Sequence, residues 1–234
     1  MPLHVPSLSI IIPALNEAEA LPRLLEQLAG ARERGAEVIV VDGGSEDDSV
    51  AQARAAGVTV IEAGRGRARQ LQAGVDASSG EALWLLHADS DIDPLSDQHI
   101  IWGLAESGRL WGWFSLRLTG PHPLLRVVAR AINVRSRLSG IATGDQGIFV
   151  LRRALARICG VPQQPLMEDV ELSLRLRELC PPLVLLKRIT TSARHWERRG
   201  VLRTILLMWR LRFAYAMGVS TEVLAERYRA SSGR

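Results

Sequence analysis

The first half of the chain alternates short apolar runs with longer segments whose apolar residues recur at helical spacing. Four runs are rich in β-branched and aliphatic residues, which is typical of buried strands, and they lie at residues 7–12, 37–41, 58–61 and 82–86. The segments between them have apolar residues three or four positions apart and lie at residues 17–34, 45–56 and 67–77. Strand–helix alternation of this kind predicts a mostly parallel sheet with helices on both faces.

The second half of the chain is less regular. Its strand-like runs lie at residues 110–118, 147–151 and 183–186. Its helical segments lie at residues 121–138, 153–159, 167–179, 201–217 and 221–228. We see no repeat, low-complexity tract or linker, so we expect one continuous Rossmann-like α/β domain over residues 1–234, with a C-terminal helical extension.

Composition adds an asymmetry of charge to this pattern. Of the 234 residues, 47% are hydrophobic and 23% are charged, which is typical of a folded globular protein. Residues 1–117 contain 9 basic and 17 acidic residues, a net charge of −8, whereas residues 118–234 contain 20 basic and 8 acidic residues, a net charge of +12. We expect an acidic site in the first half and an anion- or membrane-facing surface in the second. The acidic half argues against nucleic acid as a partner, because phosphate binding needs a continuous positive face.

The sequence does not favour a membrane-spanning or secreted protein. Its apolar runs fall short of the ~18–20 uninterrupted residues that cross a bilayer. No basic segment precedes an apolar core near residue 1, so we expect no signal peptide. The two cysteines, Cys159 and Cys180, are too few for a disulfide framework or a zinc site. We therefore expect a cytoplasmic protein without an integral membrane segment.

Three acidic residues follow the apolar run at 82–86. They are Asp89, Asp91 and Asp93. Clustered carboxylates repel each other unless a cation offsets them, and oxygen ligands suit Mg²⁺ or Mn²⁺. In a parallel sheet this loop lies at the carboxyl edge, where ligands bind. The pattern therefore predicts a divalent-metal site, the alternative being a solvated acidic loop.

Two other loops at the same edge contain polar residues, and one of them also has glycines that let a ligand approach the backbone closely. They are Pro13-Ala14-Leu15-Asn16-Glu17 and Val41-Asp42-Gly43-Gly44-Ser45. The glycines permit close approach of a ligand, and the acid at position 42 is able to accept a hydrogen bond from a base or a ribose. The alternative is ordinary turn chemistry, and Ser45 with Asp48 has the pattern of a capping box that opens the helix at 45–56.

Taken in order, these segments resemble the motifs of family 2 glycosyltransferases, which have the GT-A fold, and more closely those of a compact bacterial subgroup of about this length. The other matching segments are Gly64-Arg65-Gly66-Arg67-Ala68-Arg69-Gln70, Leu86-His87-Ala88-Asp89 with Pro94, Gly144-Asp145-Gln146-Gly147 and Met167-Glu168-Asp169. The chain departs from the family in having His87 where members usually have an acid. It also lacks the Gln-x-x-Arg-Trp motif of processive members.

The resemblance implies a role for each matching residue. Its nucleotide-binding residues are Pro13, Ala14, Asn16, Glu17, Asp42, Arg67, Gln70 and His87. Asp89 binds Mg²⁺ or Mn²⁺, with Asp91 supplying the charge that His87 lacks, and Asp169 is the general base. The acceptor-side residues are Asp145, Gln146 and Glu168, together with His195 and Trp196, which match no family motif and are expected to close over the diphosphate or the sugar. The chain then divides into a nucleotide-sugar-binding half at 1–117, an acceptor and catalytic half at 118–198 and C-terminal helices at 199–234.

The implied activity is transfer of a sugar, with inversion, from a nucleotide-diphosphate sugar to an acceptor hydroxyl, and UDP is the family's commonest nucleotide. The basic, apolar segments at 121–138 and 201–217 fit helices on anionic lipid at the inner face of the membrane, near a lipid-linked acceptor. They equally fit helices buried against the core or against a partner subunit. Two other hypotheses stay open. One is a nucleotidyltransferase, although the loop at 13–17 lacks the glycine-rich basic character of that class. The other is a membrane-surface or anion-binding module without catalysis.

Overall fold

A computed structural model describes residues 3–192 and 200–231 of the chain. In these ranges the strands are β1 (Leu8–Ala14), β2 (Glu37–Asp42), β3 (Thr59–Glu62), β4 (Ala82–Leu85), β5 (Ser90–Asp91), β6 (Trp111–Thr119), β7 (Ile148–Leu151) and β8 (Leu183–Ser192). The helices are α1 (Leu21–Gln27), α2 (Ala29–Glu33), α3 (Ser49–Ala55), α4 (Arg67–Ala77), α5 (Ser96–Ser107), α6 (Leu124–Ser139), α7 (Arg152–Arg157), α8 (Glu168–Leu179), α9 (Val201–Ala216) and α10 (Thr221–Ala230). A 3-10 turn over Gly144–Gln146 precedes β7.

The described strands form one sheet in the order β3-β2-β1-β4-β7-β6-β8-β5. Strands β3, β2, β1 and β4 are parallel to one another, with Ile11 of β1 opposite Ile39 of β2 and Leu85 of β4. The parallel sheet predicted from the first half is therefore confirmed. In the second half β7 is antiparallel to β4 and β6, β8 is parallel to β6, and β5 is antiparallel to β8, so the complete sheet is mixed.

Alternate side chains of the central strand β1 enter two apolar layers. Ile12 belongs to the same buried cluster as Leu24 of α1, on one face of the sheet, and Ile11 belongs to the cluster of Leu71 of α4, on the other. Helix α4 lies so close to the sheet that a Cβ on its Gly74 would collide with Ile11. Helices therefore cover both faces, as predicted, while the carboxyl ends of β1, β2 and β4 meet at one edge.

Two helices differ from the pattern-based prediction. The helix predicted at 17–34 begins only at α1, where Pro22 occupies the first turn, and it is divided into α1 and α2. Helix α5 was not predicted, although its buried Ile100 and Leu104 have helical spacing and pack in the same cluster as α1. The short strand β5 was also missed, because two residues carry no periodicity.

The capping box predicted for Ser45 and Asp48 is wrong. Helix α3 begins at Ser49, and Asp48 precedes it without a side-chain capping bond. Ser45 Oγ instead accepts a 2.9 Å hydrogen bond from the Asn16 N–H, in the loop after β1. Asp47 Oδ1 accepts from the Ser49 N–H at 3.0 Å. The local pattern predicted the wrong partner because the loops after β1 and β2 bind each other.

The C-terminal helices α9 and α10 pack beside α8. Leu211 of α9 and Leu224 of α10 are buried in one apolar cluster with Met167, which precedes α8. The Tyr215 hydroxyl of α9 donates a 2.6 Å hydrogen bond to Glu171 of α8. The helical extension is therefore present and docked on the second half of the chain. In the described ranges no helix has the length and apolar character needed to cross a membrane.

Candidate active site

A cleft of about 770 Å³ opens at the carboxyl edge of the sheet. Its walls come from the loops after β1 and β4, the start of α4, the 3-10 turn and the start of α8, with α9 and α10 on one side. Ten residues singled out in the sequence line it: Pro13, Ala14, Glu17, Arg67, Gln70, His87, Asp89, Asp145, Glu168 and Asp169. Motifs from both halves of the chain therefore meet in one site.

An ion pair joins the start of α4 to the start of α8. Arg67 Nε–H donates to the carboxylate of Glu168, whose side chain is 4% exposed. Burial works against the charge on Arg67, but the negative charges of Glu168, Asp169 and Asp145 outweigh it and raise the pKa of Arg67 above its ordinary value. The guanidinium is therefore a fixed cation that offsets the carboxylates around it.

Asp169 lies in the first turn of α8 and faces the 3-10 turn. Its Oδ2 accepts a 2.8 Å hydrogen bond from the Gly144 N–H, and its Oδ1 accepts one of 2.8 Å from the Val170 N–H. Burial, together with the charge of Glu168, raises the pKa of Asp169 against the opposing effects of Arg67 and the two backbone donors. A carboxylate with a raised pKa takes up a proton more readily, which is the property that a general base needs.

His87 lies between a cation and an anion. Arg67 Nη1 is 3.1 Å from its Nε2, and Asp145 Oδ1 is 3.1 Å from its Nδ1. Because a guanidinium only donates, Nε2 accepts from Arg67, and the ring proton is on Nδ1, which faces the Asp145 carboxylate. Gly144 makes room for this arrangement, since a Cβ there would lie 2.5 Å from Nε2. Both ring nitrogens therefore have protein partners, and His87 orients Arg67.

Gln70 holds the ends of β1 and β2 together. Its Nε2 donates to the carbonyls of Ala14 and Val41, each at 2.8 Å, and the residue is 4% exposed. A Cβ on Gly43 would lie 2.9 Å from this nitrogen, so the loop after β2 depends on glycine at that point. Both amide protons are used within the protein. Gln70 therefore shapes the floor of the cleft through the two loops.

Asn16 and Asp42 build the loops and are not among the described residues that line the cleft. Asn16 has a φ of 55°, and its Oδ1 accepts a 2.8 Å hydrogen bond from the Glu46 N–H. Buried Asp42 accepts from the N–H groups of Gly44, at 2.9 Å, and Ser45. These contacts are the turn chemistry that the sequence left open as the alternative to nucleotide binding.

The two acids expected to bind metal are placed differently. Asp89 lines the cleft, whereas Asp91 accepts hydrogen bonds from Arg23 at 2.6 Å and Gln27 at 2.5 Å, both on α1. The charge of Asp91 is therefore offset by Arg23 of α1. Among the described residues that line the cleft, Asp91 is absent. Within those residues no group of three or more His, Cys, Asp or Glu side chains is arranged to hold a metal ion.

Of the acceptor-side residues, Asp145 and Glu168 line the cleft and Gln146 does not. Gln146 is fully buried, and its Oε1 accepts from the Ser136 hydroxyl and from the N–H of Thr143. It thereby closes the 3-10 turn in a capping box with Thr143. The remaining two, His195 and Trp196, lie outside the described residues.

Helices α9 and α10 contribute cleft residues that sequence reasoning missed. They are Thr204, Met208, Arg212 and Tyr228. The first three are four positions apart and share one face of α9. That spacing is visible in the sequence, but only the tertiary packing directs this face to the cleft. Arg65, in the loop before α4, also lines the cleft and adds positive charge there.

The mixed sheet with a cleft at its parallel edge defines a GT-A glycosyltransferase fold. The chain is similar to the crystal structure of TarS residues 1–349 from S. aureus, with a TM-score of 0.65 and 15% identity, covering 80% of this chain and 60% of that one. It is also similar to glucosyl-3-phosphoglycerate synthase from Mycobacterium tuberculosis, solved with Mn²⁺, UDP and glucosyl-3-phosphoglycerate. That similarity has a TM-score of 0.60 and 18% identity, covering 80% of this chain and 71% of that one. At these identities the shared feature is the fold.

The family model described as "Glycosyl transferase family 2" matches residues 9–113 of the chain. The chain is 28% identical to the undecaprenyl-phosphate 4-deoxy-4-formamido-L-arabinose transferase of Sodalis glossinidius (strain morsitans), over 64% of this chain and 49% of that protein. It is 29% identical to an uncharacterized glycosyltransferase of Mycobacterium tuberculosis (strain CDC 1551 / Oshkosh), over 77% of this chain and 72% of that protein. The chain therefore spans about half the length of the undecaprenyl-phosphate transferase that it matches.

Proposed function

We propose that the protein transfers a sugar from a nucleotide-diphosphate sugar, with UDP as the first nucleotide to test, to an acceptor hydroxyl with inversion at the anomeric carbon. The observation that carries the proposal is the position of Asp169. Its carboxylate lines the cleft at the start of α8, is bonded to the Gly144 N–H, and has a raised pKa. We assign Asp169 as the general base.

The proposed reaction is one displacement at the anomeric carbon. The acceptor oxygen forms a bond to that carbon as its proton passes to Asp169, and the bond from the carbon to the diphosphate breaks with its electron pair on the phosphate. Attack from the side opposite the leaving group inverts the configuration. Arg67 and Arg65 line the cleft and offer positive charge where the diphosphate gains negative charge. General-base assistance is worth roughly 10²–10⁴-fold in rate.

The chemistry of the cleft fits a divalent cation shared with the substrate. Asp89 lines the cleft, whereas Asp91 is bound to α1 and His87 has a protein partner on each nitrogen. One carboxylate with phosphate and water oxygens is the coordination that Mg²⁺ commonly accepts, and Mn²⁺ uses the same oxygen ligands. Asp89 would hold the ion, which when bound would offset the charge of the leaving diphosphate. The Mn²⁺ and UDP in the structure of glucosyl-3-phosphoglycerate synthase support this assignment.

We further propose that the acceptor is lipid-linked and that the protein works in the cytoplasm, on the inner face of the membrane. The name of the Sodalis glossinidius relative, an undecaprenyl-phosphate transferase, supports a lipid-linked acceptor. In this proposal residues 1–117 bind the donor, residues 118–198 carry the base and the acceptor side, and the helices after residue 199 complete the cleft.

The experiment is turnover of nucleotide sugars combined with calorimetric titration of the nucleotide. We expect Asp169→Asn to lower transfer to a hydroxyl acceptor by about 10²–10⁴-fold while nucleotide binding stays within about twofold of the wild type. Asp48→Asn is the matched control, because Asp48 is exposed and makes no side-chain capping bond. Equal loss of binding and turnover in Asp169→Asn would contradict its assignment as the base.

The same variant tests the chemical class of the acceptor. A phosphate acceptor attacks through an oxygen that is already ionised at neutral pH, so it needs no general base. Transfer to a phosphate acceptor would then survive Asp169→Asn, whereas transfer to a hydroxyl would not. Retention of full activity in this variant would replace the hydroxyl acceptor in our proposal with a phosphate.

A further inference from the structure

The outer face of α9, continued by Met217 directly after it, carries a row of large apolar side chains. Leu202, Leu206, Trp209, Phe213 and Met217 are each 63–74% exposed. At 3.6 residues per turn they fall within an arc of about 80° and extend along about four turns. Single exposed apolar residues are ordinary on a protein surface, but a continuous stripe of this length indicates an interaction surface.

The opposite face of α9 belongs to the protein. Leu211 is buried in the cluster that joins α9 to α10 and the start of α8. Thr204, Met208 and Arg212 line the cleft. An α-helix with its side chains is about 10–12 Å across. The apolar stripe and the cleft are therefore separated by the thickness of one helix.

The charge around the stripe is positive. Helix α9 contains Arg203, Arg210 and Arg212 and no acidic residue, and α6, which packs in the same cluster as Val201 of α9, has four arginines and no acidic residue. Arg203 and Arg210 are exposed and lie about 20–40° beyond one edge of the stripe. An apolar stripe with aromatic residues and flanking arginines is typical of helices that lie on anionic lipid.

We propose that this face of α9 docks the protein on an anionic lipid bilayer, with Trp209 and Phe213 in the headgroup region. Docking places the cleft one helix thickness from the lipid. The delivery of a lipid-linked acceptor to that cleft rests on the proposed transferase function, whereas docking itself does not. A second copy fits this face less well, because pairing would bring Arg203 and Arg210 of both copies together without acidic residues on α9 to offset them.

The test is co-sedimentation of the full chain with vesicles of phosphatidylcholine alone or with added phosphatidylglycerol. We expect binding that requires the anionic lipid and weakens as salt is added. Trp209→Ser/Phe213→Ser should lower the partition coefficient by about tenfold or more, and Arg203→Gln/Arg210→Gln should lower it by roughly fivefold or more. Trp102→Ser on α5 is the matched control, because Trp102 is also exposed but lies outside the stripe, and it should bind like the wild type.

Several outcomes would overturn docking. One is that the wild type does not bind the anionic vesicles. Another is that the Trp209→Ser/Phe213→Ser variant binds the vesicles as well as the wild type does. A dimer in analytical ultracentrifugation that this variant dissolves, without vesicle binding, would assign the stripe to a second copy instead. Turnover of the nucleotide sugar in solution is measured on the same preparations. Turnover without vesicle binding refutes docking alone, and vesicle binding without turnover refutes the transferase function alone.

Discussion

A methyl group at position 144 should disturb the stability of the fold and the chemistry of the site together. In Gly144→Ala the new Cβ would lie 2.5 Å from His87 Nε2 and 3.0 Å from its Cε1, where an ordinary contact is 3.4–4 Å. The ring has little freedom to move, because Arg67 and Asp145 hold its two nitrogens at 3.1 Å each. Either the hydrogen bond from Arg67 and the contact with Asp145 break, or the 3-10 turn shifts and withdraws the Gly144 N–H from Asp169.

The size of the effect follows from these contacts. Hydrogen bonds to charged groups contribute about 1.5–3 kcal/mol each. His87 is partly exposed, so water replaces part of that loss, and we expect the free energy of unfolding to fall by about 2–3 kcal/mol. A shift of about 1 Å at the donor to Asp169 should lower turnover by about 100-fold. Urea denaturation measures the first quantity, and initial rates at saturating nucleotide sugar measure the second.

Two further variants make the reasoning refutable. Gly64→Ala is the matched control, because a Cβ there meets only the Arg69 side chain at an ordinary 3.8 Å, and we expect a change in stability below about 0.5 kcal/mol. His87→Ala removes the colliding ring, so adding Gly144→Ala to it should cost little more stability. A Gly144→Ala protein as stable and active as Gly64→Ala would refute the steric argument.

Three other predictions concern protonation and metal. Because the pKa of Asp169 is raised, turnover should increase with pH through a value above that of an ordinary aspartate, which a pH–rate profile measures. The same shift means that ionisation of Asp169 lowers the stability of the fold as pH rises above about 4. The Asp169→Asn variant should therefore unfold at a higher temperature than the wild type at pH 7. Near pH 3 the two proteins should unfold at the same temperature. Chelation should abolish turnover, and added Mn²⁺ or Mg²⁺ should restore it. The Asp89→Asn variant should require more metal than the wild type, because Asp89 lines the cleft. The Asp91→Asn variant should require no more metal than the wild type, because Asp91 is bound to α1. Equal metal requirements in the two variants would remove Asp89 as the ligand.

The residues that sequence reasoning placed in the cleft come from positions where local pattern and topology agree. Runs such as 82–86 predict parallel strands, and loops at the carboxyl ends of such strands meet at one edge, so Asp89 and His87 were found without a structure. The order of β5 to β8 was not accessible in this way. The pairing of β7 with β4 and of β8 with β6 is set by contacts between distant segments, and a strand of two residues has no period to detect.

The roles of individual polar residues were harder to predict than their positions. Gln70 lines the cleft, but its two amide protons bind the carbonyls of Ala14 and Val41. These two acceptors come together only when β1 and β2 lie side by side. Ser45 has a capping pattern with Asp48 and yet accepts from the Asn16 N–H of the neighbouring strand's loop. Ser45 thus had a local partner in the sequence and a different one in the neighbouring loop, and the acceptors of Gln70 exist only in the folded sheet.

Residues 201–217 fitted both alternatives that the sequence left open, and the packing of α9 explains why. A helix that is apolar on nearly all sides needs cover on more than one face. The protein covers one face, where Leu211 is buried and Met208 meets the cleft, but leaves Trp209 and Phe213 more than 70% exposed. The hypothesis of a helix buried against the core is therefore correct for the inner face of α9. The outer face requires a different partner, and the arginines beside it favour the anionic bilayer that we propose.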